Sequence, residues 1–192
     1  MPKLTKDFYL RNDVVAISKE LLGKYLFTNI DGVLTAGIIT ETEAYAGVTD
    51  KGSHAYNNRR TKRTEIMYAD GGRAYVYLCY GIHHLFNIVT NQKDIPHAVL
   101  IRAVKPAEGI DAILKRRNKT ILDDKISAGP GTVTQALAIS VKNTGTDLTG
   151  NKIWLEDRGI KIAGKDILID PRIGIDYARE DALLPYRFRI LL

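Results

Sequence analysis

Two glutamates one residue apart, Glu41 and Glu43 in the run Glu41-Thr42-Glu43-Ala44-Tyr45, sit where a strand-forming segment runs out into a polar stretch. Strand alternation puts both carboxylates on one side and Thr42 on the other. Their separation of about 6–7 Å resembles the spacing of two-carboxylate, inverting sugar hydrolysis. To act as a general base, a carboxylate needs burial, or a neighbouring base or cation. A solvated strand end provides neither, and it is the plainer reading of such a pair. Company favours chemistry: Tyr45, His54, Tyr77 and Asn87 are candidates for one pocket, being types that stack on or hydrogen-bond a flat heterocycle. Arg102 interrupts the apolar run Val99-Leu100-Ile101-Arg102-Ala103-Val104. A buried cation there requires a carboxylate partner, and Glu43 is the attractive one.

A second signal is the aromatic run Arg73-Ala74-Tyr75-Val76-Tyr77-Leu78-Cys79-Tyr80-Gly81, followed by the apolar segment 82–90. Two β-rich runs around a Tyr80-Gly81 tip predict a hairpin. Ala74, Val76 and Leu78 then share one face, with Tyr75, Tyr77 and Cys79 on the other. Tyr80 falls at the tip. A large ring on a stiff hairpin in a basic protein is suited to wedging into a stack of bases; the alternative is that these tyrosines are ordinary sheet formers.

The elements that must position these groups follow from pattern. Asn12 or Asp13 caps a first helix carrying Val14, Val15, Ile17, Leu21 and Leu22 and ending near Gly23. Strands are expected over 25–30 and 33–42, joined by the hairpin pair Asp31-Gly32. Residues 47–62 read as a long loop, 98–104 as a buried strand. Pro106 is expected to open a helix through Arg117, and 133–139 to form a short one. Further strands are predicted over 153–156, 160–162, 167–175 and 186–191. Hairpin links predominate, which predicts a mixed α+β chain: a single domain over residues 1–192, with a mainly antiparallel sheet, flanking helices and a protruding β-hairpin.

Bulk properties bound the partners. The 192 residues carry 28 Lys and Arg against 22 Asp and Glu, a net charge of +6 that favours a polyanion. The one cysteine, Cys79, excludes an internal disulfide and a cysteine-based metal cluster. No signal peptide or membrane span is evident, so a cytoplasmic location is expected, nucleoid-associated if the source is bacterial. A zinc site built from His54, His83, His84 and His97 fails on spacing. Gly129-Pro130-Gly131-Thr132 could cradle a phosphate, although it lacks the lysine of a nucleotide-binding loop and reads more simply as a helix cap. The run Asn57-Asn58-Arg59-Arg60-Thr61-Lys62-Arg63 is either a phosphate clamp or a solvated basic loop.

Taken in order, these pieces resemble the alkyladenine (3-methyladenine or methylpurine) DNA glycosylase family. The most specific matches are Glu41-Thr42-Glu43-Ala44-Tyr45 with His54 nine residues later, and Tyr75 through Gly81 with Asn87. Leu100-Ile101-Arg102-Ala103, Ser127-Ala128-Gly129-Pro130, Gln135-Ala136-Leu137-Ala138-Ile139 and Arg172-Ile173-Gly174-Ile175 extend the likeness almost to the C-terminus. The resemblance implies one compact domain on a curved antiparallel sheet. It also implies a monofunctional enzyme that flips a damaged purine from duplex DNA and hydrolyses its N-glycosidic bond, with no cofactor or metal; a monomer is expected. By the same resemblance, Glu43 activates the water, and Arg102 and the backbone of Ile173 help to hold it. Tyr45, Tyr77 and His54 contact the extruded base. Asn87 disfavours guanine, Tyr80 fills the vacated stack, and Arg59, Thr61 and Arg63 meet phosphates. Alternatives are a non-catalytic module that binds damaged DNA, or a glycoside hydrolase using Glu41 with Glu43.

Overall fold

The computed structural model describes residues 2–192. Its framework is one eight-stranded sheet in which every named pairing is antiparallel. A one-turn helix α1 (Lys6–Tyr9) precedes α2 (Val14–Glu20), whose cap is Asp13, accepting from the Ala16 N–H at 2.9 Å. Then come β1 (Tyr25–Ile30) and β2 (Val33–Tyr45). The turn between them has positive φ at both Asp31 (54°) and Gly32 (75°), which matches the twist of a two-residue hairpin. After a long loop come β3 (Arg73–Cys79), β4 (His83–Thr90) and β5 (His97–Glu108), then α3 (Ile110–Arg116), α4 (Pro130–Ala136), β6 (Ile153–Glu156), β7 (Leu168–Asp170) and β8 (Arg187–Arg189). The order across the sheet is β3-β4-β5-β2-β1-β6, with β8 pairing both β2 and β7.

One face of the sheet carries the main core, where Ile39, Ala44, Ala74, Val76, Val99 and Ile101 pack with residues of α2, α3 and α4. On the other, the loop between β2 and β3 folds back, and Ala55, Met67 and Tyr68 bury against Tyr75, Val89 and Ala98. Those two layers leave the pocket face lined by β2, β3, β4 and β5.

Several predicted elements move. Pro106 does not open a helix. It lies within β5 opposite Gly37, next to a register shift, and beyond residue 100 β5 has no β4 partner, so the missing N–H costs no ladder bond. The helix starts instead at Gly109 (φ 69°), where a Cβ would approach the Leu34 carbonyl oxygen to 2.4 Å. Helix α4 begins at Pro130, three residues earlier than expected, and Ala138 at φ 57° follows its end. Residues 160–162 form no strand, although Ile160 and Ile162 pack beside Gly23. The strand expected over 167–175 stops at Asp170, since Pro171 cannot donate to the ladder. The aromatic hairpin turns through three residues, Tyr80 to Ile82, with the Ile82 N–H donating to the Cys79 carbonyl at 3.1 Å.

Candidate active site

A single rung of the sheet assembles the site. Tyr75 on β3 lies opposite Asn87 on β4, Asn87 opposite Leu100 on β5, Leu100 opposite Glu43 on β2, and Glu43 opposite Arg187 on β8. Plain alternation along β2 would give Glu43 the same face as Ile39, which is in the core. The ladder prevents this. Between the Ile39–Val104 and Glu41–Ala103 pairs β2 carries one extra residue, Thr40. Between the Glu41–Ala103 and Thr42–Ile101 pairs β5 carries one extra residue, Arg102. These bulges reverse the phase of both strands. Ile39, Thr42 and Ala44 therefore all face the helices, where the Thr42 hydroxyl donates to the Ser18 carbonyl at 2.9 Å.

Glu43 is fully buried, directly behind the pocket lining formed by Tyr45, Arg102 and Ile173. All three hold its carboxylate. Oε1 accepts the Ile173 N–H at 2.8 Å and lies 3.3 Å from Arg102 Nη1, and Oε2 accepts the Tyr45 hydroxyl at 2.8 Å. Three of roughly four lone-pair directions are thus engaged, leaving one for a further donor. Burial pushes the Glu43 pKa above the ordinary glutamate value, against the opposing pull of Arg102, the Ile173 N–H and the Tyr45 hydroxyl. Burial, and next the adjacent Glu43 charge, hold Tyr45 protonated well above the usual tyrosine range. Glu41 is different. It shares Arg102 through Nε at 3.2 Å and meets Arg187 at 3.0 Å, and it is absent from the pocket lining. The expected Glu43–Arg102 pair is present, with Glu41 as the second carboxylate on that arginine.

The pocket above encloses about 400 Å³. Its walls include Tyr45, His54, Tyr75, Tyr77, Leu85 and Asn87, with Tyr80 and Arg63 also contributing. His54 packs edge-on to Tyr77 with ring centroids 4.6 Å apart, and its Nδ1 shares a 2.7 Å hydrogen bond with the Tyr75 hydroxyl. Burial, with help from the Arg63 and Arg59 charges, lowers the His54 pKa to about 4, so the ring is neutral at pH 7. Burial likewise raises the Tyr75 hydroxyl to about 12. Asn87 is buried, its amide NH₂ donating to the Tyr75 carbonyl at 3.3 Å. All the side chains expected to contact a flat ring converge here. Tyr80 stands at the hairpin tip, 89% exposed.

A family model for methylpurine-DNA glycosylase (MPG) matches residues 7–191. The chain belongs to the methylpurine-DNA glycosylase family. A curated relative from Chlamydia felis (strain Fe/C-56), named "Putative 3-methyladenine DNA glycosylase", is 48% identical over 188 residues, covering 96% of this chain and 94% of its own. Relatives of the same name from Clostridium acetobutylicum and Bacillus cereus (strain G9842) are 41% and 42% identical, covering 98% and 94% of this chain.

In this methylpurine-DNA glycosylase family member, the basic run after His54 does not act as one unit. Arg60 is engaged by Glu65 and Asp94 at 2.7 and 2.9 Å. Thr61 is exposed, and its hydroxyl lies 3.1 Å from that of Thr64. Arg59 and Arg63 are exposed and line different concavities, Arg63 the base-sized pocket and Arg59 its neighbour. The Gly129-Pro130-Gly131-Thr132 segment is a helix cap, with Thr132 Oγ1 accepting from the Gly129 N–H at 3.0 Å. Among the described residues, no group of three or more His, Cys, Asp or Glu is placed to hold a metal, and no helix is long and apolar enough to cross a membrane.

Sequence reasoning missed Arg172 and Tyr177. The buried Arg172 guanidinium forms a two-pronged pair with Asp50, donates to the Ala44 carbonyl at 2.9 Å and lies 4.7 Å from the Tyr45 ring centre. It ties the segment bearing Ile173 to the end of β2, so the Ile173 N–H meets Glu43. Asp50 stands seven residues past Glu43 with no local pattern around it, so its pairing with an arginine 122 positions away is invisible in the chain. Tyr177 lines the pocket beside Ile173, and its hydroxyl donates to the Gly52 carbonyl at 3.2 Å.

Proposed function

We propose that this protein is a monofunctional base-excision glycosylase that flips alkylated or deaminated purines out of duplex DNA and hydrolyses their N-glycosidic bond with a water activated by Glu43. The observation that carries this reading is the buried carboxylate behind an open aromatic pocket, held by Arg102, Tyr45 and the Ile173 N–H. Family membership and the relatives' names support the substrate class. Extruding a base costs a few kcal/mol, least where it is damaged or mismatched. Alkylation at N3 or N7 makes the purine cationic and a good leaving group, and facing aromatic rings favour such a cation by about 0.5–2 kcal/mol. The remaining requirements are a positioned water, a proton acceptor and negative field beside an oxocarbenium-like sugar, all within the reach of Glu43.

In this reading Tyr45, Tyr77 and His54 hold the extruded base, Asn87 crowds the 2-amino group of guanine, and Tyr80 fills the vacated stack. Arg59, Thr61 and Arg63 contact phosphates. The whole chain acts as one glycosylase domain, as a cytoplasmic monomer that needs no metal or cofactor.

The test is an oligonucleotide duplex with a single alkylated or deaminated purine, assayed for free base, with borohydride present in parallel. Release of base, an intact strand bearing an abasic site until alkali is added, and no trapped protein–DNA adduct are expected. A trapped adduct would replace water by a protein amine as nucleophile. Binding without release would leave a damage-binding module.

A further inference from the structure

Beside the base pocket lies a second cleft of about 650 Å³, lined by Lys51, Tyr56, Arg59, Tyr177 and Arg179 and sharing Ser53 and His54 with the pocket. Tyr177 also borders both. Three of the lining side chains are cationic and none is acidic. Lys51 is paired with Glu180. Among the described residues, the guanidinium groups of Arg59 and Arg179 have no hydrogen-bond or ion-pair partner, although Arg60 next to Arg59 has two. Two rings border these charges in the open, Tyr56 at 40% and Tyr177 at 64% exposure.

The backbone at Arg179 adds an independent observation. Its φ of 55° and ψ of −124° interrupt the turn of helix over Asp176–Leu183, in a region suited to glycine. A long side chain held there is strained, and such strain concentrates at ligand-binding positions. Glycine would remove it; arginine keeps a cation in the cleft.

We propose that Arg179 is a further phosphate ligand, joining the already assigned Arg59 in this cleft to seat the phosphodiester backbone next to the flipped nucleotide. The proposal rests on the DNA-directed reading above and adds to it a second backbone site, separate from Arg63. The chemistry fits. A phosphodiester carries one negative charge and accepts from planar guanidinium forks. The shared wall of Ser53, His54 and Tyr177 places the cleft directly beside the base pocket. Arg59 already acts electrostatically on His54 across that wall.

The experiment measures binding of the intact protein to a short fluorescent duplex, undamaged and lesion-bearing, across a salt series. Arg179→Gly is expected to melt at a higher temperature than the parent, because the strain is relieved. It should nonetheless bind both duplexes more weakly, with a salt slope smaller by about one. Arg179→Lys should restore most of that slope. Lys142 is exposed and lines neither cavity, so Lys142→Ala removes a like charge outside the cleft and should change the slope less. Equal slopes for parent and Arg179→Gly overturn the proposal, as does a loss no greater than that of Lys142→Ala. A lower melting temperature with an unchanged slope marks Arg179 as structural and also overturns it. Base release by the parent, assayed on the same preparation, separates the two readings. Release with an unchanged slope removes the cleft and leaves the glycosylase. No release with a reduced slope leaves the cleft and removes the glycosylase.

Discussion

The wall of the pocket around Glu43 and the tip of the aromatic hairpin are opposite kinds of structure. Around Glu43, the charged groups are paired within the chain: Arg102 with two carboxylates, Glu43 with three donors, Arg172 with Asp50. At the tip, Tyr80 is 89% exposed and Ile82 71%, and Tyr80 sits at φ 50°. A chain gains nothing in stability from large apolar side chains held in water on a strained turn. The first region is finished by folding, and pre-organised for a charge-dependent step. The second is left open by folding and, in the proposed function, is completed by DNA. Substitutions should therefore separate the two, changing chemistry at one and capture at the other.

The largest effect is expected at Glu43. Glu43→Gln keeps the shape of the carboxylate but cannot take up the water's proton, and should lower single-turnover base release by at least about 10²–10⁴-fold with lesion binding retained. Glu41→Gln should cost much less, because Glu41 acts only through Arg102 and Arg187. The pH profile sharpens the point. In the proposed mechanism Glu43 must be ionised, and burial raises its pKa, so release should rise with pH through a value above the ordinary glutamate range. Replacing Arg102 by methionine removes the strongest opposing influence and should move that limb to still higher pH. Equal losses in Glu41→Gln and Glu43→Gln would return the paired-carboxylate mechanism.

Of intermediate size is Tyr77→Ala, which removes a wall and the edge contact to His54. Affinity for every lesion should fall by about 1–3 kcal/mol, the range for a base–aromatic stack. Competition binding with lesion and undamaged duplexes checks this, and an equal loss for both would take Tyr77 out of base recognition.

Smallest in stability, and selective in function, is Tyr80→Ala. Melting should be nearly unchanged, since the residue is almost wholly exposed. Flipping, read by a fluorescent base at or beside the lesion, should weaken most for well-stacked lesions and little for a destabilised mismatch, because unstacking is the cost the ring offsets. A protein that flips all substrates like the parent but melts earlier would make Tyr80 a packing residue and erase the contrast.

The acid side offers a check on the pocket's other wall. With its pKa lowered to about 4, His54 stays neutral in the fold while the unfolded chain takes up its proton near 6.5. Stability should therefore fall as pH drops from about 6.5 towards 4, and His54→Gln should flatten that part of a melting-temperature series.

Local chemistry was enough for the parts governed by short range. The Asp31-Gly32 turn, the Asp13 cap, the two-faced aromatic strand and the exposed tip all follow from residue type and period, because turn dihedrals, orphan N–H groups and strand alternation are settled within a few residues. Glu43, Tyr45, His54, Tyr77 and Asn87 were also legible as a set, since a carboxylate, an imidazole and an amide are uncommon choices beside ring-stacking tyrosines in apolar runs. What the chain alone could not decide was anything needing a partner strand. Pro106 reads as a helix opener until β2 is placed beside it. The face occupied by Glu43 depends on the paired bulges at Thr40 and Arg102, a property of the β2–β5 register and not of either sequence. Arg172 and Asp50 meet across 122 residues, and Arg59 and Arg63 part company only where the loop folds onto the sheet. Register, long-range ion pairs and the division of the surface into two clefts arise from packing, where the free energy of one segment depends on which other segment covers it.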